Sequence, residues 1–145
     1  MSKAHAFERY VKRYERWFVR NRFAYESEVG TVRALLPAGS GVEVGVGTGR
    51  FAAPLGLELG VEPSRAMGRV AVARGVQVVQ GIAEALPFSE ARFDFLLMVA
   101  TICFLDDVEA AFREACRVLR PGGSILIGLI DRDSALGRAY EARKE

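Results

Sequence analysis

The chain has 145 residues, half of them hydrophobic and about a quarter charged, which suits one soluble globular domain with a real core. Its net charge of +2 is too small to argue for a nucleic-acid partner. No apolar run of signal or membrane-span length is present, and the two cysteines, Cys103 and Cys116, lack metal-type spacing and a nearby histidine. The expectation is therefore a cytoplasmic protein with no metal and no membrane contact.

Residues 4–21 pattern as an amphipathic helix, with Phe7, Tyr10, Val11, Tyr14, Trp17 and Phe18 at helical spacing. Arg9, Arg13, Arg16 and Arg20 run beside that face and read as a solvated basic edge. The aromatic face reads equally as a lid over a ligand pocket or as a helix docked on the core. His5, the only histidine, sits near the terminus and reads as an exposed side chain rather than a catalytic base. A second helix over 25–36 carries Val29, Val32, Leu35 and Leu36 and is ended by Pro37 and Gly39.

Strand one, 41–46, runs into a glycine-rich turn with glycines at 45, 47 and 49. Such a turn lets the backbone bend sharply and leaves bare main chain for a ligand near the start of a helix. A dinucleotide fingerprint would need a small residue three places after Gly47, and that place holds Arg50. The alternate glycines, with Glu43 just before them, resemble the first motif of class I S-adenosylmethionine-dependent methyltransferases. Glu43 can brace loop amides or face a ligand ammonium. Only a short helix, 50–55, fits before strand two, 57–61.

Strand two ends in Glu62-Pro63-Ser64, with Glu62 nineteen positions after Glu43. A carboxylate at this tip can accept both ribose hydroxyls of a nucleoside at the switch point. Ser64 caps the next helix, which stops at Gly75. Met67, on that helix, packs on an adenine or in the core. After strand three, 76–80, the segment Gly81-Ile82-Ala83-Glu84-Ala85-Leu86-Pro87-Phe88 resembles a stretch of small-molecule methyltransferases of the type 11 kind. In that family the residue after the glycine is an acid that accepts from the adenine amino group. Here it is Ile82, which can pack on the ring but cannot accept, while Ala83 still offers its amide and Glu84 reads as a loop brace.

Strand four, 93–100, is followed by Thr101-Ile102-Cys103-Phe104, where the resemblance places the floor of the transfer site. Asp106 with Glu109 reads as a capping box for a helix to Leu119. Arg120-Pro121-Gly122-Gly123 reads as a turn before strand five, 124–130.

The expected fold is α/β and Rossmann-like, with a parallel sheet in the order 3-2-1-4-5 and helices on both faces. Residues 1–38 form a helical cap and 39–145 the core. The family continues with a helix and a strand pair beyond strand five, whereas this chain stops early in that helix; either it is a fragment or another chain covers strand five, an apolar edge suited to a second copy. The resemblance implies S-adenosylmethionine as cofactor and a small-molecule methyl acceptor. It places Glu43, Gly45, Val46, Gly47, Gly49, Glu62, Pro63, Met67, Ile82, Ala83, Glu84 and Ala100 at the cofactor. Tyr10, Tyr14, Trp17, Tyr25, Thr101 and Cys103 are the candidates around the acceptor, each equally explained as packing. No base is singled out, and Cys103 lacks a partner to lower its thiol pKa. A non-catalytic binding module, a nicotinamide-dependent half-domain and a nucleic-acid methyltransferase are the alternatives.

Overall fold

A computed structural model describes residues 5–143. Residues 1–4 and 144–145, which belong to the expected cap and core, lie outside the described residues. The sheet has five parallel strands in the order β3-β2-β1-β4-β5: β1 (Gly41–Val44), β2 (Leu59–Val61), β3 (Gln77–Val79), β4 (Phe93–Val99) and β5 (Leu119–Gly128). This is the order expected from the alternation of apolar runs and helical patterns. Strand β4 is buried almost end to end, as a parallel strand covered on both faces must be.

The pleat divides β4 between two cores. Leu96 and Met98 point to one face, where Val42, Val44 and Val61 meet Ala111, Ala115 and Val118 of α6 (Val108–Val118). Phe95 and Leu97 point to the other, with Val46, Ala52, Leu57, Ala71 and Val76. That face is served by α4 (Ala52–Leu55) and α5 (Arg65–Ala73). Val32 of α3 (Arg22–Leu35) packs against the same cluster.

The single helix expected over 4–21 is two, α1 (His5–Arg9) and α2 (Val11–Arg20). Tyr10 leaves helical geometry, at φ −114° and ψ 19°. The second helix begins at Arg22, earlier than expected, because Asn21 makes a one-residue break. Both its backbone and side-chain amides donate to Trp17 O at 2.9 Å, satisfying the end of α2. Strand one stops at Val44 because Gly45 turns left-handed, and its amide and that of Val46 both donate to Val61 O.

Two further expectations are corrected. The cap of α6 is Asp107, whose carboxylate accepts from Ala110 N at 2.9 Å; Asp106 instead gives its amide to Glu84 Oε1. Arg120–Gly123 is an excursion inside β5 rather than a turn before it. The pairing jumps from Phe93↔Leu119 to Phe95↔Ser124, and the left-handed Gly122 accommodates the extra residues. At the far end β5 stops at Gly128, two residues earlier than expected, and α7 (Ala135–Glu141) follows. Among the described residues no helix is long and apolar enough to cross a membrane.

The cap assignment has a measurable consequence. Asp107→Ala should lower the unfolding free energy by about 1 kcal/mol in urea denaturation, and Asp106→Ala by clearly less. Equal losses at the two positions would contradict it.

Candidate functional site

The site is built where β1 ends. Gly45, Gly47 and Gly49 all have positive φ, so the chain turns three times in a way that side chains resist. Each glycine meets a different constraint. A Cβ on Gly45 would stand 2.5 Å from Thr101 Oγ1, and one on Gly49 would stand 3.2 Å from the Ala71 backbone. Gly49 is thus the close helix contact that Arg50 could not make. At Gly47 the nearest atom would be Tyr14 Oη at 3.2 Å, so this backbone faces a hollow roofed by α2.

Two buried acids stand behind the turn. Glu62 follows β2 and is 6% exposed. Its Oε2 accepts from Gly47 N at 2.8 Å and its Oε1 from Ser64 N at 2.9 Å. Burial raises its pKa, and these two amide bonds work against the rise. Glu43 lies within β1 and is 2% exposed. Burial pushes its carboxyl well above the usual range; the Ala52 amide opposes this and the Glu62 charge adds to it. Its Oε2 has no hydrogen-bond partner among the described residues.

The hollow has a volume of about 560 Å³. Gly45 and Gly47 form its floor, and Glu62, Pro63 and Met67 one wall. Ile82, Ala83 and Glu84 form the opposite wall, with Ala100 and Thr101 at the end of β4. Tyr10, Tyr14 and Trp17 close it from α1–α2. Glu84 lies on this wall while its Oε1 also braces the amides of Asp106 and Asp107.

Five expected residues do not line it. Glu43 and Val46 are covered by the turn and the sheet, Val46 packing into the core beyond. Gly49 is pressed on α5. Tyr25 turns its hydroxyl to Arg50 O and its ring to Phe18 and Phe51. Cys103 is exposed, with its thiol on Ala100 O at 3.5 Å. Phe7 and Phe104, which the aromatic face and the 101–104 floor include without singling them out, line it, and so does Arg13, which sequence reasoning reads as part of a solvated edge. Phe7 meets Phe104 edge-to-face at 4.9 Å, closing the roof onto the turn after β4. The aromatic spacing of α1 and α2 hinted at this, but its target lies across the fold.

The roof is latched by carboxylates. Glu8 of α1 accepts from Arg65 N at 2.7 Å and Ala66 N at 3.4 Å, at the start of α5. Glu15 of α2 accepts from the Thr48 hydroxyl, from Arg50 at 2.6 Å and from Arg74 at 2.5 Å. Burial works to raise the Glu15 pKa, but hydrogen bonds from Arg74, Arg50 and Thr48 outweigh it and hold the carboxyl at about 2. The buried Tyr14 phenol titrates well above its usual range, through burial first and then the charges of Glu43, Glu62 and Glu15. It stays protonated. Ala100 carries a left-handed φ of 52° and gives its amide to Gly128 O at 2.8 Å. This is strained backbone at the rim of the site.

The sequence pattern of the family described as "Methyltransferase domain" matches residues 42–127, from the second residue of β1 to the next-to-last residue of β5. The chain belongs to that family. A crystal structure from Thermotoga maritima, described as an S-adenosylmethionine-dependent methyltransferase and possible histamine N-methyltransferase, superimposes with a TM-score of 0.94. It is 57% identical and is matched over 97% of this chain and 68% of its own. An uncharacterised protein of Methanocaldococcus jannaschii is 42% identical, over 96% of this chain and 68% of its own length. An uncharacterised protein of Mycobacterium tuberculosis is 39% identical over 90% of this chain, which spans only 47% of that relative. The matched region of the methyltransferase domain contains the glycine turn, both buried acids and the end of β4.

Removing the Glu15 latch should show in the acid limb of stability. The carboxyl is depressed in the folded state, so its contribution is complete above about pH 4.5 and is lost as pH falls toward 2. Glu15→Gln should therefore cost roughly 1–2 kcal/mol at pH 7, after allowance for solvent screening, with the gap to wild type closing below pH 3. A gap that stays constant between pH 7 and pH 2.5 in urea titrations would contradict the latch.

Proposed function

We propose that the chain transfers a methyl group to a small-molecule acceptor. The cofactor is S-adenosylmethionine. The observation that carries the reading is the Glu62 carboxylate at the cavity wall. Each of its oxygens takes one loop amide and keeps a further acceptor position, which suits the paired hydroxyls of a ribose. The residues present fit the rest of the cofactor. Gly45 and Gly47 would leave its tail against bare backbone, and Met67 and Ile82 would flank a flat purine. Ile82 offers that ring contact without an acceptor for its amino group.

Bound there, S-adenosylmethionine supplies an activated methyl group on a sulfonium whose departure leaves a neutral thioether. The chain's own task is then to align the partners and keep water away, which the aromatic roof does. A base is needed only where the acceptor must lose a proton. The cavity volume is in the range for small ligands. The acceptor suggested for the Thermotoga protein, histamine, is also a small molecule. A second reading, a binding module without turnover, draws on Ile82; labelled-methyl transfer to any of a panel of amines, phenols and thiols would remove it. The open edge of β5 is assigned to a second copy of the chain, and light scattering that reports only monomer across a concentration series would count against that.

Calorimetry tests the main reading. Wild type should bind S-adenosylmethionine and its demethylated product, and Glu62→Gln should weaken both by roughly ten- to hundredfold while keeping a cooperative melt. Unchanged affinity in a folded Glu62→Gln would sink the ribose assignment.

A further inference from the structure

A second hollow, of about 390 Å³, adjoins the first. Tyr14, Trp17, Val99 and Ala100 line both, so the two meet above the end of β4. The small side chain of Ala100, at its strained left-handed position, stands at that junction. The walls of the second hollow are mostly apolar and aromatic, among them Phe51 and Ile130. One ionisable acid lines it, Glu28 of α3, and no lysine, arginine or histidine does. Glu28 has no hydrogen-bond or ion-pair partner among the described residues, and burial pushes its carboxyl upward. Tyr140 of α7 accepts from Trp17 Nε1 at 2.9 Å, which fixes the indole and leaves the phenol hydrogen available to an occupant.

We infer that this second hollow is the acceptor subsite, and that it takes a small molecule bearing an ammonium group, with Glu28 as the counter-charge. The inference rests on the methyl-transfer reading for its role and on charge for its occupant. An anionic acceptor would be repelled by Glu28 in a poorly solvated wall. A neutral one would leave that carboxylate uncompensated. An ammonium group supplies the missing partner, and the aromatic side chains of Trp17 and Tyr140 line the same hollow. An amine nitrogen must also shed its proton before it can take a methyl group. Glu28, half-buried on the wall of this hollow, is the group that would take that proton and release it to water.

Trp17 is the only tryptophan in the chain and lines both hollows, so with the first filled by the cofactor product its fluorescence reports on the second. The 145-residue chain is titrated with phenethylamine, benzylamine and the neutral 2-phenylethanol, with the demethylated cofactor product at saturation. The expected result is saturable quenching by an amine, weakened roughly ten- to hundredfold in Glu28→Gln, with 2-phenylethanol binding more weakly than the amines and indifferent to the substitution. Equal binding of alcohol and amine, an amine affinity unchanged in Glu28→Gln, or no titration by either amine would each overturn the inference. Calorimetry with S-adenosylmethionine on the same samples separates the two levels. Cofactor uptake without the Glu28 effect removes the subsite alone, whereas a wild type that takes up no cofactor removes the methyl-transfer reading itself.

Discussion

The tight passage from β1 into the glycine turn is the constraint on which the rest of the site depends. Gly45 lies beneath Thr101, Gly49 lies against α5, and the backbone between them is pinned by Gly47 N on Glu62. A side chain at either outer position would force β1 away from the end of β4 or α5 away from the sheet. The main chain is therefore bare where a ligand has to approach, and the acid that holds the turn is the same one that faces the hollow. Stability and binding draw on one carboxylate, with its second set of lone pairs left over for chemistry.

The roof is held by charge as well as by apolar contact, Phe18 packing with Val29 and Phe51. Glu8 sits on the first amides of α5, and Glu15 gathers Thr48 and Arg50 of the glycine turn and Arg74 at the end of α5. Arg50 also lies over the rings of Phe18 and Tyr25, at 5.1 and 5.8 Å from their centroids. One guanidinium thus couples the turn to α2 and α3. From Phe7 through Tyr14, Phe18 and Tyr25 to Phe51, rings meet edge-to-face in an unbroken series. The series gives the roof a stiff inner lining above the glycine floor.

Electrostatics separates the two hollows. The first is walled by an acid already engaged by amides, beside a second acid held toward its neutral form by burial. The second is faced by an acid with no partner among the described residues and by a tyrosine hydroxyl held by Trp17. The junction is Ala100, where β4 leaves extended geometry at the edge of both. On the reading proposed above, one compartment takes a diol and a purine and the other a cation.

The sequence alone determined the parallel sheet and its order, because buried strands, glycines and helix patterns are written locally in residue type and spacing. It also marked Glu43 and Glu62 and the glycines beside them, since their signal is a short-range register. It did not disclose that Asp107 rather than Asp106 caps α6, or that the first helix breaks at Tyr10; both depend on a backbone torsion that neighbouring residues tolerate either way. It placed Tyr25 at the acceptor, and packing turned that hydroxyl to Arg50 instead. Only the tertiary structure decided which acids are latches and which face a hollow. Glu15 meets Arg74 across 59 residues and Trp17 meets Tyr140 across 123, and such pairs are chosen by how helices settle on the sheet, not by any pattern along the chain.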